Sequence, residues 1–127
     1  MMSLRTDLAK VRGLGSAKEG SAHWWSQRVT AVALVPLIFW FVASIISLVG
    51  AQQAVVQAWV ATPWVSVLLI LLCIAMFHHL QLGMQVILED YIHVEWLKIA
   101  SVMLIKFLAV ALLLASIFAI LKVAFLG

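Results

Sequence analysis

The 127-residue chain is 66 % hydrophobic and only 10 % charged, with a mean hydropathy of +1.18. Because soluble domains are about half apolar and about a quarter charged, this composition predicts an integral membrane protein and excludes a large soluble catalytic domain. The net charge of +3 comes from a few basic residues with no aromatic platform among them, which excludes a nucleic-acid-binding module.

Residues 1–29 are polar and aromatic, and we expect them to form a cytoplasmic arm that ends in an interfacial segment. Trp24 and Trp25 in that segment are typical of the aromatic belt at a membrane surface. Since membrane proteins keep an excess of basic residues on the cytoplasmic side, five residues predict a cytoplasmic N-terminus: Arg5, Lys10, Arg12, Lys18 and Arg28.

Three apolar runs follow, and each is long enough to cross a bilayer as a helix. About twenty residues at ~1.5 Å each cover a hydrocarbon core of ~30 Å. We predict spans at residues 30–49, 64–88 and 99–121, within a transmembrane anchor domain of residues 30–127. The loop between the first two spans carries no charge, as expected for an external loop. The predicted fold is therefore all-α and integral to the membrane, with three transmembrane helices.

The second span carries ionisable residues that a bilayer normally rejects. At about 100° per residue, Gly83 and Asp90 share one helical stripe with His79, whereas His78 points about 100° away. At ~1.5 Å per residue, His79 lies about 16 Å deeper than Asp90, near the midplane of the bilayer. One face of this helix therefore combines an imidazole at mid-depth, a glycine one turn further on and a carboxylate at the boundary.

Three interpretations of that face stay open on spacing alone. His79 is a candidate axial ligand of haem, because Gly83 removes a side chain where a flat macrocycle would lie against the backbone. His79 and Asp90 are alternatively stations of a proton relay, or His79 is a structural histidine bonded to a neighbouring helix. His79 is favoured over His78 as a ligand, because only His79 shares the stripe with Gly83.

A haem held by two histidines would need a second ligand from elsewhere. His23 and His93 both lie near the predicted cytoplasmic surface, and neither reaches the midplane. We therefore expect the second ligand to come from another chain, so that this protein is one part of a heteromeric helix bundle.

Polar residues also lie at the predicted cytoplasmic boundary. Asp90 and Tyr91 can bond the carbonyl oxygen of a quinone and supply protons to it, and they equally fit an interfacial anchor at a helix end. Arg28 and His23 at the same level suit haem propionates, or simply flank a span. Lys106 in the third span is shallow enough for its amine to reach the interface.

Two stretches of the chain resemble a known family. The run from His79 to Tyr91 has a histidine, a glycine four residues later, and Asp-Tyr eleven and twelve residues later. The second stretch lies just before and at the start of the first span, and it reads Gly20-Ser-Ala-His23 through Arg28-Val-Thr-Ala-Val-Ala-Leu. Together the two stretches resemble the haem-b-type hydrophobic membrane anchor of succinate dehydrogenase (complex II), a succinate:quinone oxidoreductase. The three-span layout is similar as well.

The resemblance implies a role for each matching residue. His79 would be one axial ligand of haem b, Tyr91 would hydrogen-bond ubiquinone with Asp90 beside it, and Arg28 and His23 would lie near the propionates or the quinone pocket. No residue of this chain alone would be catalytic. The implied partners are a second membrane anchor of the cytochrome b type, an iron–sulfur subunit and a flavoprotein subunit. FAD and iron–sulfur clusters would belong to those soluble partners only.

The same resemblance implies electron transport in the tricarboxylic acid cycle. Because the N-terminal arm is short and does not look like a cleaved targeting segment, we expect the cytoplasmic membrane of a bacterium rather than the mitochondrial inner membrane. Two other functions remain compatible with the residues. A small proton-coupled transporter or channel component would need a second ionisable residue deep in another span, and Lys106 is the only candidate. A haem-free structural anchor would recruit the soluble subunits without using His79 as a ligand.

Overall fold

The computed structural model describes the backbone of residues 18–127, and the side chains from residue 22 onward. This part of the chain forms four helices and no β-strand: α1 (Lys18–Ser47), α2 (Gln53–Ala61), α3 (Pro63–Tyr91) and α4 (Glu95–Leu126). The predicted all-α fold is confirmed. The arm that carries Arg5, Lys10 and Arg12 lies outside the described residues.

Three of these helices are long and apolar enough to cross a membrane by their length and composition: Ala22–Ser47, Pro63–Tyr91 and Glu95–Leu126. Each contains most or all of one predicted span, so the three-span prediction is confirmed. The helices are longer than the predicted spans. The loop that was predicted at residues 89–98 is confined to residues 92–94 in the structure. Helix α3 continues to Tyr91, beyond the predicted end of the span, because polar residues can also form helical backbone hydrogen bonds. At its end, the Ile92 N–H donates to the Leu88 carbonyl at 3.0 Å.

Helix α3 lies between the other two long helices. Leu72 and Ala75 of α3 pack with Leu34 of α1, and Leu37 and Phe41 of α1 lie against this cluster. The side chains of Phe77, Gln81 and Met84 lie about 140–160° around α3 from His79. They line a groove between α3 and α4. Within the described range, α1 and α4 do not approach each other closely.

Among the described residues, the buried apolar core is small and belongs to α1 and α3 alone. It consists of Leu34 on α1 with five residues of α3: Val65, Leu69, Leu72, Ala75 and Leu82. Helix α4 buries none of its side chains fully. In a membrane this arrangement is stable, because lipid is as apolar as these side chains and association depends on packing rather than on the hydrophobic effect. The open layer leaves its faces available to lipid and to other helices.

Helix α2 lies in the loop that was predicted without structure. The chain leaves α1 through Gly50, whose φ of +81° is a left-handed conformation that glycine adopts without strain. Nothing in the sequence signalled the helix, since its N-cap Gln52 makes no capping hydrogen bond and its first turn has no acidic residue. The Ser66 hydroxyl donates to the Val60 carbonyl and closes the corner between α2 and α3.

A tryptophan cluster joins α1, α2 and α3 at this end of the bundle. The ring of Trp40 stacks on Trp59, with centroids 5.9 Å apart and an interplanar angle of 25°. Trp64 lies tilted against the same ring at 6.2 Å. We call these three residues the tryptophan cluster. Because α2 also contacts α4, this end links all four described helices.

Candidate functional site

His79 lies half-buried on the side of α3 that faces α1. Its Nδ1 is 3.1 Å from Oγ1 of Thr30, a hydrogen bond between two helices that are far apart in sequence. Thr30 is only 9 % exposed, and it is the one buried polar residue among the described residues. The Nε2 atom of His79 makes no hydrogen bond to any described residue. The histidine therefore has one nitrogen fixed by this chain and one nitrogen available to something else.

Gly83 lies one turn further along α3 and faces the side chain of Gln27. A Cβ built on Gly83 would meet only Nε2 of Gln27, at 3.9 Å. The Oε1 atom of Gln27 is buried and has no hydrogen-bond partner in the described part of the chain. A buried amide oxygen without a partner is costly, so this acceptor is open to a donor that the described residues do not supply.

We refer to His79, Thr30, Gly83 and Gln27 as the histidine cluster. It contains an imidazole nitrogen without a partner, a glycine that leaves room beside the backbone, and an unsatisfied buried amide. These are the features expected where α1 and α3 meet a polar or flat group that the chain does not itself supply.

His78 has different surroundings. It is exposed and lines the groove between α1 and α3, a space of about 240 Å³, together with apolar side chains such as Val29 and Ile74. It also lines the smaller groove between α3 and α4. No hydrogen bond to another described side chain fixes its ring. Of the two histidines, only His79 is oriented by this chain.

A row of polar side chains follows His78 along α3. The Gln81 amide donates to Gln85 at 3.4 Å, and the Gln85 amide donates to Glu89 at 3.0 Å. Glu89 is thus engaged by its own helix. Asp90, on the stripe of His79, has no such hydrogen bond among the described residues. Of these two neighbouring exposed carboxylates, only Asp90 makes no side-chain hydrogen bond within the described chain.

Asp90 and Tyr91 form the exposed last turn of α3. Tyr91 is 78 % exposed, and α3 ends there. Neither side chain contacts the histidine cluster within the described chain. The structure thus places both residues of the predicted quinone site at the exposed end of the helix that carries His79.

His23 and Arg28 lie on different sides of α1. His23 is half-buried, and its position is only about 20° around the helix from Thr30. Arg28 is about 160° from Thr30, and its guanidinium lies 5.2 Å from the ring centre of Trp24, in cation–π contact. The structure therefore brings His23 to the α3 side and directs Arg28 away from it.

Lys106 is exposed on α4, in a shallow groove with Met103, Phe107 and Val110. Because α4 packs on the side of α3 opposite α1, this amine does not approach His79. The described residues therefore assemble no chain of ionisable groups through the bundle, and they group no three side chains that could enclose a metal ion.

Thr30 and Gln27 are the site residues that sequence reasoning missed. The sequence does contain a pattern that indicates them. His23, Gln27 and Thr30 are spaced at i, i+4 and i+7, which puts three polar residues on one face of a membrane helix. Intramembrane polar residues usually face protein rather than lipid. That spacing identifies the face, but only the packing of α1 on α3 shows that it meets His79.

Comparison with known proteins assigns the chain to a family. Residues 2–120 match the model of the succinate dehydrogenase/fumarate reductase transmembrane subunit. The chain belongs to this family. The resemblance to succinate dehydrogenase anchor subunits is thereby confirmed, and such a protein is part of an oxidoreductase whose reaction it does not catalyse alone.

Individual relatives agree with this assignment. The succinate dehydrogenase hydrophobic membrane anchor subunit of Rickettsia bellii (strain RML369-C) is 30 % identical over 116 residues, covering 91 % of this chain and 93 % of the relative. The succinate dehydrogenase membrane anchor subunit of Reclinomonas americana is 31 % identical, covering 76 % and 82 %. The succinate dehydrogenase hydrophobic membrane anchor subunit of Paracoccus denitrificans is 33 % identical over 79 residues, covering 62 % of this chain and 61 % of the relative. No solved structure matches the chain.

Proposed function

We propose that this chain supplies one axial ligand of haem b through Nε2 of His79, and that Asp90 and Tyr91 form part of a ubiquinone site. In this role it holds the flavoprotein and iron–sulfur subunits on the membrane beside a second membrane anchor. The observation that carries the proposal is the fixed Nδ1 of His79, with its Nε2 free of described partners.

The residues present fit a haem. An axial histidine typically bonds a protein group through one ring nitrogen and the iron through the other. Gly83 provides room one turn away, since a Cβ there would touch nothing but the end of Gln27. When bound, the haem supplies a one-electron carrier within the membrane. The chain's own contribution is to orient the imidazole, to leave space beside the helix and to exclude water with apolar neighbours.

Tyr91 and Asp90 suit a quinone for a different reason. A phenolic O–H can donate to the carbonyl oxygen of a quinone, and an adjacent carboxylate can accept and return a proton. Both residues are exposed at the end of α3, where an apolar quinone tail would remain in lipid while protons arrive from water. Glu89 is a weaker candidate, because its carboxylate already accepts from Gln85.

The upstream chemistry belongs to the partners. Iron–sulfur clusters need several cysteine ligands, and this chain has a single cysteine, Cys73 within α3. We place the N-terminal side in the cytoplasm, because basic residues precede α1 and the segment between α1 and α3 has none. The relatives from Rickettsia and Paracoccus support the cytoplasmic membrane of a bacterium.

The direct test is an optical spectrum of the complex that contains this chain, purified in mild detergent and reduced with succinate. We expect His79→Ala to abolish the b-type haem bands. His78→Ala is the matched control, because it removes the neighbouring imidazole from the same helix, and we expect it to keep them.

Three results would contradict the assignment. Bands that survive in both variants would show that neither histidine is a ligand, and an intact complex would then favour a haem-free anchor. Bands lost only in His78→Ala would move the ligand to His78. Bands reduced by dithionite but not by succinate, in the unsubstituted complex, would separate the haem from the succinate-oxidising partners.

A further inference from the structure

The hydroxyl of Thr30 has three hydrogen-bond partners within reach and a single proton. Its Oγ1 lies 2.7 Å from the Ser26 carbonyl, 3.1 Å from the Gln27 carbonyl and 3.1 Å from Nδ1 of His79. Carbonyl oxygens can only accept, whereas Nδ1 donates in one neutral form of imidazole and accepts in the other. The position of the hydroxyl proton therefore decides which form His79 adopts.

The distances favour one position for that proton. Bonds of the O–H···O type are commonly 2.7–2.8 Å long, whereas N–H···O bonds extend to about 3.2 Å. The 2.7 Å contact with Ser26 matches a hydroxyl donor, in the back-bond that serine and threonine make to the carbonyl four residues earlier. The 3.1 Å contact with His79 matches an imidazole N–H donating to the hydroxyl oxygen.

We propose that Thr30 is a positioning residue that holds His79 with its proton on Nδ1, and so leaves the lone pair of Nε2 for iron. This inference rests on the proposed haem ligation. If Thr30 donated to Nδ1 instead, the proton would lie on Nε2, and that nitrogen would not ligate a metal in its neutral form. The hydroxyl also fixes the rotation of the ring, because the buried Thr30 is itself held by α1.

The hydrogen bond also affects the electronic character of the ligand. Donation from Nδ1–H makes the imidazole a stronger base, as outer-shell partners of ligating histidines generally do. A more basic ligand stabilises the oxidised iron relative to the reduced iron. Because the hydroxyl is polarised by its own bond to Ser26, it is a better acceptor than an isolated hydroxyl. Loss of the bond should therefore raise the haem midpoint potential.

The test is a redox titration of haem b in the purified complex, with haem content measured beside it. Thr30→Val keeps the branched shape and removes the hydroxyl, whereas Thr30→Ser keeps the hydroxyl. Outer-shell substitutions at metal sites typically change metal affinity by about 10–100-fold. At the low end of that range, we expect Thr30→Val to retain haem and to favour reduced iron about tenfold more, a rise of about 59 mV for a one-electron couple.

Two controls separate positioning from packing. Thr30→Ser should keep the original potential, because the hydroxyl oxygen remains available to Nδ1. Ser116→Ala removes an equivalent back-bond, from Ser116 to the Leu112 carbonyl on α4, and it should change nothing. If Thr30→Val loses haem while the complex assembles and Thr30→Ser keeps it, the positioning role is also supported.

An unchanged potential in Thr30→Val overturns the inference, and so does an equal shift in Thr30→Val and Thr30→Ser. These results are distinct from a failure of the proposed function. Retention of the haem bands in His79→Ala would remove the ligand itself, whereas loss of bands in His79→Ala with no effect of Thr30→Val would remove only the role of Thr30.

Discussion

The two halves of the α1–α3 pair differ in whether their side chains find contact and hydrogen-bond partners within the chain. At one end, which we call the closed half, Trp40 of the tryptophan cluster contacts the rings of Trp59 and Trp64, so that the aromatic contacts come from the same chain. In the other half, the histidine cluster leaves Nε2 of His79 and Oε1 of Gln27 without partners among the described residues. The first region is held by contacts within the chain, and we propose that the second, the open half, is completed by a group from outside it.

This difference explains why so small a core can be sufficient. Among the described residues, buried apolar side chains are few and lie on α1 and α3. Membrane helices associate through packing and hydrogen bonds more than through apolar burial. The tryptophan cluster and the Ser66 hydrogen bond at the α2–α3 corner supply such contacts at one end. On the function proposed above, the other half carries polar groups whose cost a bound group or a partner subunit would offset.

The largest expected effect comes from filling the space at Gly83. A leucine there would occupy the room beside the backbone of α3, and we expect Gly83→Leu to abolish haem b bands in an assembled complex. Gly83→Ala is the matched control, because its Cβ would make only an ordinary contact of 3.9 Å with Gln27, and it should retain them. A normal spectrum from assembled Gly83→Leu would show that the open half does not receive the macrocycle.

A smaller effect is expected at the end of the open half, in Tyr91→Phe. Loss of the phenolic donor should lower kcat/KM for quinone reduction by about 100-fold, the low end of the ~10²–10⁴-fold that a proton-donating group contributes. Succinate oxidation with a soluble dye acceptor should be unchanged, because the upstream subunits are intact. Glu89→Gln is the control, since its partner Gln85 lies on the same helix. Equal losses in the two variants would assign the effect to the helix end and not to the phenol.

The contrast between the halves also limits what the sequence alone predicts. The three spans follow from the length of each apolar run, which is a local property, and so they were predicted close to their observed positions. The stripe of His79, Gly83 and Asp90 follows from helical periodicity, which is local as well. Helix α2 was missed because it has neither a capping residue nor an acidic first turn, so that its sequence does not differ from an apolar loop.

Tertiary contacts were less accessible from the sequence. The pairing of Thr30 with His79 depends on how α1 lies against α3, over a separation of 49 residues. The sequence also did not show which face of α1 carries Arg28 relative to α3, because that face is defined only by the contact of Thr30 with His79. Periodicity relates residues within one helix, and the packing of two helices must come from their side chains together.

The smallest expected effect belongs to the closed half. Trp40→Ala removes both ring contacts of the tryptophan cluster, and at about 0.5–1.5 kcal/mol for each aromatic pair we expect a loss of about 1–3 kcal/mol in stability. Thermal unfolding of the purified complex measures it, while the haem bands should persist because His79 and Gly83 are untouched. Trp96→Ala is the control, since Trp96 is 71 % exposed on α4 and should be near neutral. Haem loss in Trp40→Ala without a fall in stability would mean that the two halves are coupled, and that the tryptophan cluster helps to position the histidine cluster.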